Sequence, residues 1–194
     1  MKNIVIIIIL FQSFHSINAQ QIFSETQEYT YTKEFMNKGK ERPSYVVNLI
    51  HSENKNADKI ATLTITDIEL FEDIFLTTLE NPGLEGISKV IKMEVEYLGC
   101  CAHVAAYYYM VKEDNSIATL PEISNIYCEN SDADYQYIFP NQEYGVKGNI
   151  LETQTFYQTQ TTSTAIKYVN LKQSFTWNNG NIEESKLTAI TAGY

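Results

Sequence analysis

The chain has 194 residues, 44% of them hydrophobic, and carries 14 basic against 24 acidic residues, a formal net charge of −10 at pH 7. This length and composition predict one globular domain with a sizeable buried core. We exclude nucleic acid and anionic lipid as partners, because their binding depends on clustered lysines and arginines. A basic protein would be attracted to such a surface, although solubility alone also explains an acidic chain.

Residues 1–19 have the layout of a secretory signal peptide. Lys2 gives the positive start, residues 4–11 are an unbroken apolar run, and Ala19 is the small residue before the expected cleavage. Eight residues rise only about 12 Å as a helix, against about 30 Å for a bilayer core, so a membrane anchor is excluded. We therefore expect export to the periplasm or outside the cell. The mature chain has 175 residues (194 minus 19) and, without Lys2, a net charge of −11 (13 basic minus 24 acidic).

The mature chain is predicted to begin with a polar lead-in at 20–43, irregular or partly helical, followed by a single β-rich domain at 44–194. Residues 45–50 and 60–66 are short β-branched runs typical of strands. No internal repeat or low-complexity linker divides the domain, which therefore reads as one unit.

The spacing of apolar residues predicts one amphipathic helix at about 67–81. Its apolar positions recur at helical intervals: Ile68, Phe71, Phe75 and Leu79. Asp67 can cap its start, and the Asn-Pro-Gly sequence at 81–83 ends it.

Everything after Gly86 is predicted to be β-structure. Residues 90–97 alternate between apolar and charged side chains, as in a strand with one wet face. Residues 102–112 are apolar on both faces, which indicates a central strand. Later predicted strands lie at 117–120, 123–128, 135–139, 151–160, 165–177 and 187–191, and Asn179-Gly180 is a strong hairpin signal. The predicted fold is mainly β: an antiparallel sandwich or barrel-like sheet with the one helix.

Three cysteines remain in the mature chain: Cys100, Cys101 and Cys128. One scheme bridges Cys128 to either member of the adjacent pair, and the other closes a ring between Cys100 and Cys101. Neighbouring Cα atoms lie about 3.8 Å apart, below the roughly 4.4–6.8 Å usual for a disulfide, so we favour a bridge to Cys128.

Cys101 and His103 are two apart on a predicted strand, so their side chains share a face and could form a thiolate–imidazole pair. An exported chain tends to oxidise its thiols, and no second histidine or acid lies nearby in sequence to orient His103. We therefore assign no catalytic residue and expect no enzyme. The alternative is a small exported thiol-dependent enzyme or redox protein that uses these two residues.

No metal ion or cofactor is expected. The cysteine pair lacks the spacing of structural zinc sites. The acidic segment 130–134 lacks the glycine and the twelfth-position glutamate of a calcium loop.

The candidate binding residues are His103, Tyr107 and Tyr109, which alternation places on one face of the predicted strand. Tyrosine is enriched at binding surfaces. Core burial with a satisfied hydroxyl explains a tyrosine equally well, and both interpretations remain open.

The order of a strand at 90–97, then Gly99-Cys100-Cys101-Ala102-His103, then an aromatic strand resembles secreted bacterial proteins with a Gly-Ala-His-Cys-Cys box between two strands. Several of those look like periplasmic lysozyme inhibitors, including the invertebrate-type class. The hairpin at 175–180 also looks like the closing hairpin of that family, so the likeness spans about 86–187. Here, however, the cysteine pair precedes Ala-His, and residues 81–86 lack the family's calcium-holding aspartates. No inhibitory residue is carried over.

The resemblance implies an exported, non-enzymatic binding protein that acts as an inhibitor or immunity-type partner of a cell-wall hydrolase such as a lysozyme. A basic lysozyme would suit the acidic surface. A structural, surface-associated module without an active site is the further alternative.

Overall fold

The fold is described from a computed structural model of the whole chain. The structure describes residues 21–37, 39, 42–53, 59–128, 133–160, 163–178 and 180–185, without the side chains of 158–160 and 163–167. The predicted signal peptide at 1–19 and the predicted strand at 187–191 lie outside these residues.

The described part of the chain is built from antiparallel strands, with no helix among them. They are β1 (Ser24–Glu25), β2 (Tyr29–Met36), β3 (Ser44–His51), β4 (Ala61–Ile65), β5 (Phe71–Glu80), β6 (Ile87–Leu98), β7 (Ala102–Lys112), β8 (Ile117–Thr119), β9 (Ile123–Tyr127), β10 (Ala133–Ile138), β11 (Asn149–Gln160), β12 (Ser163–Asn178) and β13 (Asn181–Glu184). Within the described ranges, no helix could cross a bilayer.

The strands form three sheets. The central sheet has the order β1-β5-β6-β7-β8, and β9 also pairs with β7 beyond the end of β8. A second sheet has the order β10-β11-β12-β13, and a third has the order β2-β3-β4. The predicted mainly-β, antiparallel fold is therefore confirmed, and β7 has the predicted bounds 102–112.

The other strand predictions within the described residues also correspond to observed strands. Residues 45–50 and 90–97 fall in β3 and β6, the segment 60–66 contains β4, and the later segments match β8 to β12. The predicted Asn-Gly hairpin joins β12 to β13, where Asn178 pairs with Asn181 and Gly180 has φ 89°.

The predicted amphipathic helix at 67–81 is wrong, because residues 71–80 form β5. This strand pairs along most of its length with β6, for example Leu79 with Val90. A bulge between Phe71 and Asp73 shifts the alternation, so the residues of the supposed helical stripe lie on different faces. Pairing with a neighbouring strand overrides the local spacing.

Within the predicted polar lead-in at 20–43, the described residues 24–25 and 29–36 form strands, where an irregular or partly helical segment was expected. Its segments β1 and β2 pair with β5 and β3. Tyr29 of β2 is only 4% exposed and packs in a core with Val47 of β3.

Strand β7 of the central sheet packs against a core on each face, as its apolar sequence predicts. On one face, Tyr108 packs in a core with Tyr137 and Phe139 from the β10–β13 side of the molecule. On the other face, Tyr109 packs with Val47 of β3. Because side chains alternate along a strand, β7 contributes residues to both cores.

Asn125 joins the central sheet to the second sheet. Its side chain is 5% exposed; Nδ2 donates to the backbone oxygen of Tyr135 (3.0 Å), and the Tyr135 N–H donates to Oδ1 (2.7 Å). We expect Asn125→Ala to lower the free energy of unfolding by about 2 kcal/mol, because it leaves the part-buried N–H and carbonyl of Tyr135 without these hydrogen bonds. Urea unfolding measures the loss.

The exposed Asn170 provides the matched control. Asn170→Ala is expected to change the stability by less than about 0.5 kcal/mol. Equal losses for the two variants would contradict a joining role for Asn125.

Candidate functional site

The candidate site lies where β6 ends and β7 begins, on either side of the turn at residues 99–101. Tyr97 of β6 pairs with His103 of β7, and His103 pairs on its other side with Ile126 of β9. Directly paired residues share a face of a sheet. Tyr97, His103 and Ile126 therefore stand side by side.

A disulfide closes this end of the sheet. Cys101 is bonded to Cys128, with their Cα atoms 4.8 Å apart. The predicted bridge to Cys128 is confirmed, and its partner is Cys101 because β7 and β9 pair at the adjacent residues Ala102 and Tyr127. Cys100 is the free cysteine and is exposed.

An open cavity of about 550 Å³ adjoins the disulfide; we call it the His103 concavity. Its walls come from the segment before β5, the ends of β6 and β7, and the start and end of β9. Its principal lining residues are Asp67, Leu70, Tyr97, His103, Tyr107, Glu122 and Ile126. The Leu98 N–H donates to the Leu70 oxygen (2.8 Å), which holds the segment before β5 against the end of β6.

Two lining side chains of the His103 concavity are apolar and exposed. Leu70 is 43% exposed and Ile126 is 65% exposed. They come from segments far apart in the chain, and both line the His103 concavity because β9 pairs with β7 while the Leu70 oxygen is bonded to the end of β6. Exposed apolar side chains gathered at a concave surface are typical of a binding site.

His103 is held from two sides. Its Nε2 lies 2.7 Å from the Ser124 Oγ, and its ring stacks on Tyr97 with centroids 5.4 Å apart and planes 22° apart. A histidine bonded to a serine could serve a hydrolase, but such a pair needs a third group that orients the imidazole. Among the hydrogen bonds of the described residues, His103 is bonded to Ser124, and no carboxylate bond to its ring is seen.

The His103 concavity is acidic. Glu122 and Asp67 line it, and none of its described lining residues is a lysine or arginine. Burial, followed by the charge and the hydrogen bond of Glu122, raises the pKa of Tyr107 far above its usual range. Burial, followed by the charges of Glu122 and Asp67, also raises the pKa of Tyr97. Both phenols therefore stay protonated at neutral pH, inside a negative field.

Most of the predicted site residues meet here. Cys100, Cys101, His103 and Tyr107 line the His103 concavity, and Cys128 is tied to it by the disulfide. Tyr109 points to the same face of β7 but is 7% exposed and packs in the core. It presents little surface to a partner.

Sequence reasoning missed Asp67, Leu70, Glu122 and Ile126. Only Ile126 carried a signal: in β9, Ile123 is 4% exposed, so Ile126, three residues on, falls on the opposite face. An isoleucine on the second face of a strand that is already buried on the first indicates a contact surface. The other three come from connecting segments, whose placement depends on strand pairing.

The cysteine and histidine of the site do not form a metal centre in the part of the chain that the structure describes. There, no group of three or more histidine, cysteine or acidic side chains is placed to hold a metal ion. Residues 130–132 of the calcium-like segment lie outside the described residues, and Asp134 belongs to β10.

Comparison with known proteins adds no relative from which to transfer a role. No protein-family model, no curated protein and no solved structure matches this chain. The resemblance to lysozyme inhibitors therefore depends on the sequence motifs, and the function has to be argued from the geometry of the His103 concavity.

Proposed function

We propose that this chain is an exported, non-enzymatic protein that binds a basic protein partner at the His103 concavity, and that the partner is a cell-wall hydrolase such as a lysozyme. One observation carries the proposal: exposed Leu70 and Ile126 share an open concavity with the carboxylates of Asp67 and Glu122. Protein interfaces combine an apolar centre with charged groups that complement the partner.

The charge of the whole chain supports a basic partner. An excess of 24 acidic over 14 basic residues produces a negative field that attracts a cationic protein over distances of a Debye length. The carboxylates in the His103 concavity then favour docking at that place. The association is therefore expected to weaken as salt is added.

The predicted signal peptide and the disulfide both support an exported location. The predicted signal peptide at 1–19 directs export, and a disulfide between Cys101 and Cys128 is stable in an oxidising environment. A periplasmic or extracellular location would bring the protein to the same compartment as enzymes that degrade the cell wall.

The disulfide weighs against the thiol-enzyme alternative. In that alternative Cys101 is the nucleophile beside His103, but the Cys101 sulfur is bonded to Cys128 and has no thiolate to offer. A binding function needs no free thiol at this position. It uses the disulfide instead, as the support for the end of β9.

The architecture suits a rigid binding scaffold. We interpret the two cores on opposite faces of the central sheet as a layered antiparallel sandwich. At one end of the central sheet, the pairing of β6, β7 and β9 holds the strand residues of the His103 concavity, such as Tyr97, His103 and Ile126. Sites on strands are held more accurately than sites on loops.

The test is inhibition of lysis. Mature protein, residues 20–194 with its disulfide formed, is mixed with several purified lysozymes in a cell-wall lysis assay at low and moderate salt. We expect inhibition that weakens with salt, and we expect Ile126→Thr to require about tenfold more protein, since a buried interfacial side chain contributes about 1–2 kcal/mol.

Ile22→Thr is the matched control, because Ile22 is 72% exposed and lies outside the His103 concavity. It is expected to inhibit like the unaltered protein. Neither inhibition nor measurable binding of any lysozyme would refute the proposal and favour a structural, surface-associated module.

A further inference from the structure

A row of five aromatic rings leads across the molecule to the His103 concavity. It consists of Phe35, Tyr45, Phe71, Tyr97 and His103, and the centroids of consecutive rings are 5.3–6.5 Å apart. Strand register produces it, because Phe35 pairs with Tyr45 and Tyr97 pairs with both Phe71 and His103. The row therefore crosses two sheets, from β2 to β7.

The β2 half of this row already holds a cation. The Lys33 Nζ lies 4.8 Å from the centroid of Tyr45 and 4.5 Å from that of Phe71. Both distances are within the range of cation–π attraction. These rings therefore present surfaces that accept a positive charge, and the chain supplies that charge itself.

The other half of the row has the same ring chemistry, and no cation lies over it among the residues that the structure describes. Tyr97 lines the His103 concavity together with Tyr107, and two carboxylates, those of Asp67 and Glu122, stand beside them. No lysine or arginine is found among the described residues of its lining. A carboxylate has about four lone-pair positions, so Glu122 can bond the Tyr107 hydroxyl and still accept further donors.

We infer that the His103 concavity is a socket for one arginine side chain of the partner, which lies against the rings of Tyr97 and Tyr107 and pairs with Asp67 and Glu122. The inference depends on the proposed function, since it names the partner group that the same site would hold. Arginine fits better than lysine because its planar guanidinium stacks on rings, forms two parallel hydrogen bonds with a carboxylate and is weakly hydrated. The volume of about 550 Å³ also accommodates backbone that flanks the anchor.

The test uses single amino-acid probes, so that it does not depend on any lysozyme. N-acetylarginine methylamide is titrated into the mature protein, and the ring resonances of His103, assigned with His103→Gln, are followed by NMR. Saturable shifts are expected with this probe, weaker shifts with the lysine analogue, and none with the uncharged glutamine analogue.

Glu122→Gln removes one proposed partner of the guanidinium and is expected to weaken binding of the arginine probe about tenfold. Asp114→Asn removes the same charge at an exposed turn outside the His103 concavity and is expected to leave binding unchanged. The heteronuclear spectrum of each variant shows whether it is folded.

The outcomes separate the socket from the docking proposal. If the arginine probe binds and no lysozyme does, the socket is supported and the choice of partner is refuted. If Ile126→Thr weakens lysozyme binding while the arginine and glutamine probes act alike, the socket is overturned and the docking surface stands.

Discussion

Replacing Phe139 with alanine is expected to lower the free energy of unfolding by about 3–5 kcal/mol. The Phe139 side chain is 0% exposed and its ring lies 6.2 Å from Phe23 and 6.4 Å from Tyr108. Its removal leaves a cavity between the central sheet and the β10–β13 sheet, in the core that joins them. Denaturant unfolding of the disulfide-bonded protein measures the loss as a lower midpoint.

The same substitution at an exposed site is the control. Phe75 is 49% exposed, so Phe75→Ala is expected to cost less than about 1 kcal/mol. Phe139→Leu keeps most of the volume and should lie between the two variants. If Phe75→Ala destabilised the protein as much as Phe139→Ala, the core between the central sheet and the β10–β13 sheet would be wrongly assigned.

Strands could be predicted wherever one sequence period was unambiguous. In β6, Met93 and Val95 are buried, while Glu94 between them is partly exposed; β7 is apolar on both faces because each face meets its own core. The Asn-Gly pair likewise specifies a two-residue hairpin through local backbone preference alone. These signals depend on neighbours in sequence, and the structure confirms the strands and the hairpin that they predict.

The error at β5 has a physical cause. Phe71, Phe75 and Leu79 are four residues apart, which satisfies a helical period and also strand alternation. In the structure, Phe75 and Leu79 lie on one face, where Phe75 is exposed and Leu79 packs in a core, and Phe71 packs in the core on the other face. The bulge near Asp73 and the pairing with β6 decide this, and neither is encoded by local spacing.

Only half of the candidate site could be predicted from the sequence, again because local spacing does not encode long-range strand pairing. Cys101 directly precedes β7, and His103 and Tyr107 lie on it, so alternation along one extended segment places them together. Asp67 and Glu122 arrive from connections before β5 and β9, and their position depends on long-range pairing. The sequence therefore indicated the aromatic and histidine half of the His103 concavity and not its acidic half.

Removing the disulfide by Cys101→Ser together with Cys128→Ser is expected to lower the free energy of unfolding by about 3–4 kcal/mol. The bond joins residues 27 apart, and the cross-link restricts a loop of that length in the unfolded chain. Unfolding in denaturant, compared with the unaltered protein under non-reducing conditions, measures the difference. Cys100→Ser is the matched control, since this cysteine is exposed and free, and it should change stability by less than about 0.5 kcal/mol.

The disulfide variants also test how the binding surface is supported. Cys101–Cys128 ties the end of β9 to the start of β7, and Ile126 lies two residues before that tie. Without the bond, the end of β9 is held by its strand pairing alone and frays more readily, because end residues of a strand open at low free energy. Binding of the partner should therefore weaken in the double variant even under conditions where the protein remains folded, whereas Cys100→Ser should bind as before.

Full binding by the double variant would show that the disulfide stabilises the chain without holding the His103 concavity. Loss of binding in Cys100→Ser would instead place the free thiol in contact with the partner.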